Sequence, residues 1–349
     1  MKTFLKWLAF GLIVLLVAYL LGPSPDRPRL DASLPRVPTS PAQLERDVNT
    51  SERLKKDVRS NNQARIVWAD SARKTKTPYS ILYLHGFSAS QEEGAPVHTN
   101  LARRFGCNLY LARLEDHGTK RNDVFMKLNA DNYLASAKRA LAIANQLGDS
   151  VIVVGTSAGG MLGLGLTSLH PRIAALVLYS PAVALFDPAS VLLDKPWGLQ
   201  IARRVFGSDY SEDRTATAAV QRYWTQRYRL EGVVALQSLI SNTMTPETFG
   251  RIRCPVLLAY YYKNEEEQDK VVSVPAMLTM FDELATPASL KRKVAFPDAA
   301  DHVIASHLRS KEWPKVERET VRFLEEVVKL KPAVPKATAA RPVISNDAP

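Results

Sequence analysis

Residues 151–160 read VIVVGTSAGG, and few folds accommodate such a run. Val151, Ile152, Val153 and Val154 favour a short strand buried on both faces. After Gly155 the chain continues as SAGGMLGLGLTSLH, an apolar helical segment that stops before Pro171. A strand, a very tight turn and a helix are thus packed into about twenty residues. The turn has the pattern G-x-S-x-G, with Gly155, Ser157 and Gly159. In that pattern a serine is held in a strained conformation with its hydroxyl exposed beyond the strand, and the adjacent helix N-terminus favours developing negative charge. Phosphate-binding loops fit less well: no lysine follows as a P-loop requires, and Gly155, Gly159 and Gly160 do not have dinucleotide-binding spacing.

The surrounding chain has a matching rhythm. Short apolar runs occur at 64–70 (ARIVWAD), 79–86 (YSILYLHG), 107–114 (CNLYLARL), 173–181 (IAALVLYSP), 255–262 (PVLLAYYY) and 290–296 (LKRKVAF). Together with 151–155 they read as strands buried on both faces. Helical patterns lie between and after them, at 130–148 and 312–331 among others. This alternation predicts an α/β fold with a mainly parallel sheet covered by helices on both faces. Residues 183–250 carry no convincing strand and read as a helical insertion between two core strands.

The ends differ from this body. Lys2 and Lys6 precede WLAFGLIVLLVAYLLG (7–22), which contains no charge. As a helix it spans about 23 Å, and Thr3 to Leu5 with a snorkelling Lys6 bring it close to bilayer thickness. Residues 1–22 are read as a transmembrane signal-anchor, because VAYLLG is a poor cleavage site. A signal peptide cleaved from a secreted protein is the alternative. Pro23, Pro25, Pro28, Pro35, Pro38 and Pro41 make 23–45 a proline-rich linker, expected to act as a semi-rigid stalk. The globular body occupies 46–330, and 331–349, rich in proline and alanine, is read as a disordered tail. The net charge of +11 suits anionic surfaces, but no nucleic-acid-binding signature accompanies it. Cys107 and Cys254 each begin an apolar run and are read as free buried thiols.

A serine hydroxyl needs a base, and the base needs an orienting carboxylate. Of six histidines, His302 in FPDAADHVIASH lies just after the last strand run, where a loop projects over the sheet edge. The acid is expected in KNEEEQDKVVS, after the sixth strand run. Asp269 is preferred because VVSV follows it directly, with Glu265, Glu266 and Glu267 as alternatives. The chain order is then Ser, Asp, His.

With LHGF after a strand, LEDHG in the next strand-loop, GTSAGG, the Asp269 loop and DHVIAS, residues 60–330 resemble the α/β-hydrolase superfamily. Within it the chain is similar to the bacterial branch of monoacylglycerol lipase, lysophospholipase and serine-aminopeptidase-like hydrolases. The resemblance implies an α/β-hydrolase fold with 183–250 as a lid shaping an acyl pocket. It implies an oxyanion hole from the backbone N–H groups of Phe87 and Ala158. It assigns His85 and Gly86 to the oxyanion loop, with His85 bracing it, and gives His117 a structural place in a neighbouring turn. The chain departs from the family where Asp116 precedes His117-Gly118, a position more often glycine, and at Thr156, often histidine.

The function implied is a membrane-tethered serine hydrolase that cleaves carboxylic esters, lipid-like in character, through an acyl-enzyme. Its expected partners are an ester substrate and, through the N-terminal anchor, a membrane on whose exported side the body lies; no metal, other cofactor or nucleic acid is expected. A peptidase or amidase using the same residues, and a non-catalytic binding module, are the alternatives.

Overall fold

The computed structural model describes residues 1–333, so all but the first three residues of the predicted tail lie outside the described residues. Seven strands form the main sheet: β1 (Arg65–Val67), β2 (Thr77–Leu84), β3 (Asn108–Leu111), β4 (Gly148–Thr156), β5 (Ile173–Tyr179), β8 (Val256–Tyr260) and β9 (Lys291–Ala295). Two further strands, β6 (Tyr210–Glu212) and β7 (Arg227–Arg229), pair as a separate ribbon. The order in the sheet is β1-β3-β2-β4-β5-β8-β9, parallel except for β1 against β3. Each of the seven strand runs read from the sequence therefore contributes one strand.

Alternate side chains of the central strands feed two cores, as the pleat requires. Leu82, Leu84, Val153, Leu176 and Leu178 face one side, packed with residues of the helices Ala130–Leu147, Ala158–Leu169 and Leu230–Thr243. Ile81, Tyr83, Ile152, Val154 and Val177 face the other, against the helices Val97–Phe105 and Trp313–Glu326. The outer strands depart from the expectation of burial on both faces. β1 and β9 are at best half-buried, and β9 (KRKVA) puts three charged residues along an edge, where charge discourages pairing with another chain.

From the edge strand β1 the chain passes inward to β2, inserts β3 between the two, then crosses to place β4 on the other side of β2. The carboxyl ends of β2 and β4 thus lie side by side where the strand order reverses. In open α/β sheets such a reversal opens a crevice beyond the strand ends. Gly155 pairs in register with Leu84 on one side and Leu178 on the other.

The insertion follows β5 and precedes β8, and it is mostly helical, with helices at Gly198–Phe206, Ala218–Tyr223 and Leu230–Thr243. The β6–β7 ribbon within it corrects the reading that 183–250 lacks strands. Each of its strands is three residues of tyrosine, serine and charged side chains, too short and polar to show a period.

At the N-terminus, Lys2–Leu20 is a helix long and apolar enough to cross a membrane, with no buried residue. The proline-rich segment that follows has no helix or strand as far as Ser40. It lies along the body: Pro28 is buried, Asp26 O accepts from Ser238 Oγ at 3.2 Å, and Asp31 pairs with Lys138 at 3.1 Å. The helix Pro41–Leu54 begins inside the segment read as linker, with proline at a favourable first-turn position and Leu44 fully buried.

Candidate functional site

Ser157 joins β4 to the helix Ala158–Leu169 with φ 54° and ψ −119°. For a residue with a Cβ such left-handed backbone costs about 1–3 kcal/mol, held by the surrounding structure. Two glycines allow it. A Cβ on Gly159 would collide with the carbonyl oxygen of Leu84, and one on Gly155 would stand 2.5 Å from the oxygen of Gly159. The turn is pinned by Ser157 N–H donating to Tyr179 O at 2.9 Å, and by Ser157 O accepting from Ala182 N–H at 3.0 Å.

His302 lies in the loop after β9. Its Nδ1 is 2.6 Å from Asp269 Oδ2. Asp269 is fully buried, and its other oxygen accepts the N–H groups of Val271 at 2.9 Å and Val272 at 3.1 Å. These bonds turn Asp269 inward. Burial works to raise its carboxyl pKa, but His302 and the two N–H groups prevail and hold it below the usual range. His302 is shifted the other way: burial works to lower it, while Asp269, then Glu93 and Asp301, carry it above the ordinary value of 6.5. Nδ1 donates to the carboxylate, and the second nitrogen, Nε2, is buried with no hydrogen-bond partner among the described residues.

Glu265, Glu266 and Glu267 are exposed. Glu265 accepts from Tyr262 Oη at 3.0 Å, and Glu267 pairs with Lys263 at 2.8 Å, so the charge run is a solvated turn. The other histidines have backbone partners or sit apart. His98 Nε2 meets Gln91 O at 2.8 Å, His307 Nδ1 meets Ala95 O at 2.9 Å, and His170 follows a helix end. His117 Nδ1 donates to Glu115 O at 2.7 Å and its ring stacks on Tyr133. Asp116 has φ 62°, backbone that favours glycine. Its carboxylate accepts the Phe125 N–H at 2.7 Å and pairs with Arg121, which compensates for the missing glycine at that departure.

Ser157, His302 and Phe87 line one cavity of about 640 Å³ above the β2 and β4 ends. Ala158 is fully buried at the first position of its helix, where a backbone N–H has no intrahelical acceptor. The Phe87 ring packs on Phe125 at 4.7 Å and Tyr228 at 5.2 Å between centroids, tying the loop after β2 to the β6–β7 ribbon. The insertion supplies the rest of the wall, with Leu192, Leu193, Ile201, Ala202, Val205 and Leu236 among its apolar residues.

The arginines of the insertion are largely engaged with one another's partners. Arg229 bonds Asp209 at 3.0 Å and Glu231 at 2.7 Å, Arg203 bonds the same two acids, and Arg227 lies 3.4 Å over the Tyr210 ring.

One residue at the site has no signal in the sequence. Glu93 is 2% exposed, lines the cavity, and accepts the Gly86 N–H at 2.5 Å. In SQEEGAP nothing distinguishes it from the half-buried Glu92 beside it.

Comparison with known proteins agrees with this architecture. A thermostable monoacylglycerol lipase of Bacillus sp. (strain H-257) is 26% identical over 183 residues, covering 52% of this chain and 68% of that protein. Among solved structures, one from work on the metagenome-derived lipolytic enzymes LipS and LipT has a TM-score of 0.60 at 17% identity, covering 77% of this chain and 99% of its own. A soluble variant of monoglyceride lipase from Saccharomyces cerevisiae, in complex with a substrate analogue, has a TM-score of 0.55 at 10% identity, covering 75% and 90%. At such identities these structures speak for the fold. The profile of the alpha/beta hydrolase family matches residues 81–313, from inside β2 to the start of the last helix, and the chain belongs to that family.

Proposed function

We propose that the protein is a membrane-tethered serine hydrolase that cleaves carboxylic esters with a lipid-like acyl group. The observation that carries this reading is the state of His302. Its Nδ1 is engaged by a buried carboxylate, and its Nε2 is buried and unpartnered beside the cavity that Ser157 also lines. An imidazole so held is a general base waiting for a proton.

Ser157 Oγ attacks the ester carbonyl carbon while His302 Nε2 takes its proton. Asp269 keeps the other ring proton on Nδ1 and stabilises the imidazolium. The N–H groups of Phe87 and Ala158 hold the oxyanion, each contributing roughly 3–4 kcal/mol to transition-state binding. The carbon–oxygen bond to the leaving group breaks as His302 delivers its proton to that oxygen, leaving an acyl-enzyme. Water, deprotonated by His302, then attacks the acyl carbon, and the carboxylic acid leaves with Ser157 restored.

The lipid-like character is supported by the apolar wall of the insertion, acting as a lid, and by the monoacylglycerol lipase relative. The helix Lys2–Leu20, with Lys2 and Lys6 at its start, supports a signal-anchor holding the body on the exported side. The test is fluorophosphonate labelling of wild type beside Ser157→Ala, followed by p-nitrophenyl esters against aminoacyl amides. Labelling lost in Ser157→Ala, with ester turnover, is expected. Equal labelling of both proteins overturns the assignment of Ser157, and turnover of amides alone overturns the ester reading.

A further inference from the structure

Gly86 is held from both sides. Its N–H donates to Glu93 Oε2 at 2.5 Å, and its carbonyl lies 2.9 Å from His85 Nδ1. His85 Nε2 accepts the Leu114 N–H at 3.1 Å, so the ring proton sits on Nδ1 and is donated to Gly86 O. The two bonds act on the two peptide planes that meet at the Gly86 Cα. In a trans peptide the C=O and the following N–H point in opposite directions. The His85 bond therefore sets the direction of the Phe87 N–H, and the Glu93 bond sets the plane before it.

Glu93 is packed tightly into this arrangement. A Cβ on Gly86 would meet Glu93 Oε1 at 2.7 Å and Ser157 Cβ at 3.1 Å, so carboxylate, glycine and serine form one layer. Tyr83 Oη donates to Glu93 at 3.3 Å from below. Burying a carboxylate on so few donors is unfavourable, and an apolar residue in its place would stabilise the fold at least as well. Such a group in a cleft points to function.

We propose that Glu93 is a positioning residue of the oxyanion loop: it holds the His85–Gly86 peptide so that the Phe87 N–H faces the developing oxyanion, and its charge stabilises the His302 imidazolium. The inference rests on the Ser157–His302 reading above. The titratable groups facing Glu93 are Tyr83 from β2, Tyr133 from the helix Ala130–Leu147, and His302 and Asp301 from the loop after β9. Burial pushes its carboxyl up to about 7, against the opposing pull of the Gly86 N–H, His302 and Tyr83 and with the support of Asp301. The negative charge of Glu93 and the positive charge of the His302 imidazolium thus favour one another.

The experiment compares Glu93→Gln, Glu93→Ala and Ser157→Ala in the full chain, using p-nitrophenyl butyrate across pH with a thermal melt of each variant. Gln keeps an acceptor for the Gly86 N–H and removes the charge. Its kcat is expected to stay within about 5-fold of wild type, while the acid limb of kcat/KM moves to lower pH. The sign follows because removing a negative charge beside an imidazolium makes it a stronger acid. Ala removes both effects, so kcat is expected to fall about 10- to 100-fold with KM little changed, as when an oxyanion donor is misplaced. Wild-type kcat in Ala and an unmoved acid limb in both variants, with Ser157→Ala inactive, overturn the role of Glu93 and leave the Ser157 reading standing. Turnover by Ser157→Ala overturns that reading and the Glu93 role with it. Should Ala fail to fold, an unmoved acid limb in Gln alone overturns the proposal.

Discussion

Asp269 accepts three hydrogen bonds, two from backbone N–H groups and one from His302. That arrangement has one consistent proton assignment, because no other atom at His302 Nδ1 accepts its proton. Asn at 269 keeps the shape but must turn its NH₂ either toward the Val271 and Val272 N–H groups or toward Nδ1. The second choice leaves the backbone satisfied and forces Nδ1 to become an acceptor, so the proton moves to Nε2. His302 then has no lone pair for the Ser157 proton. Asp269→Asn is therefore expected to lower kcat about 10⁴-fold with the fold intact, the scale found when a triad tautomer is reversed. Ester turnover within tenfold of wild type, in protein with an unchanged circular dichroism spectrum, would remove Asp269 from the mechanism. The sequence points to Asp269 through the VVSV that follows it, while the inward turn itself belongs to the folded loop. Asp269 and the glutamates before it share one loop, and their difference lies in which carboxylate the backbone N–H groups of Val271 and Val272 capture. Glu93 is hidden for a related reason: burial of one glutamate in QEEG depends on Gly86, which lies seven positions earlier and meets it only in the folded turn.

The elements divide by how they are written. The five inner strands, β2, β3, β4, β5 and β8, are near-continuous apolar runs because both their faces are covered, and they were legible for that reason. The edge strands and the β6–β7 ribbon take their pairing from neighbours distant in sequence, and their own residues carry little period. The insertion is legible only as an interruption, yet it determines the cavity. The helix Gly198–Phe206 turns Ala202, 5% exposed, into the cavity wall beside Ile201 and Val205. Under the proposed reading of the cavity as an acyl site, this helix should set the length of chain accepted. Ala202→Phe fills part of the wall and leaves Ser157, His302 and Phe87 themselves unaltered. It is expected to reduce kcat/KM for p-nitrophenyl dodecanoate by more than about 10-fold while p-nitrophenyl acetate changes less than about 3-fold, since losing room for several methylenes is worth more than one. Equal losses on both esters, or none on either, would mean that the acyl chain lies elsewhere.

At the scale of the whole molecule, the N-terminal helix meets the body at the insertion. Trp197, in the insertion, donates through Nε1 to Ala18 O at 3.1 Å and through its backbone N–H to Pro23 O at 2.9 Å. None of the residues from Lys2 to Leu20 is buried, so the body takes no core from this helix. Nineteen helical residues reach about 28 Å, close to the ~30 Å of a bilayer core. Phe4, Leu8, Ile13 and Leu16, each more than half exposed, would then face acyl chains. The helix ends against the same insertion that walls the cavity, so in the proposed membrane-bound state the cavity would lie close to the bilayer surface, where the local concentration of a lipid ester is far above its value in solution. Removing residues 1–22 should thus separate chemistry from delivery. The shortened protein is expected to move from the carbonate-resistant membrane fraction to the soluble fraction, with a melting temperature within a few degrees of the full chain's. Its kcat/KM for p-nitrophenyl butyrate should stay within about 2-fold, whereas hydrolysis of monoacylglycerol embedded in vesicles should drop by 10-fold or more, because tethering contributes on the order of 10²–10⁴ in avidity when geometry permits. Full-length protein released by carbonate, or a shortened protein equally active on vesicles, would show that the helix neither anchors the enzyme nor presents its substrate.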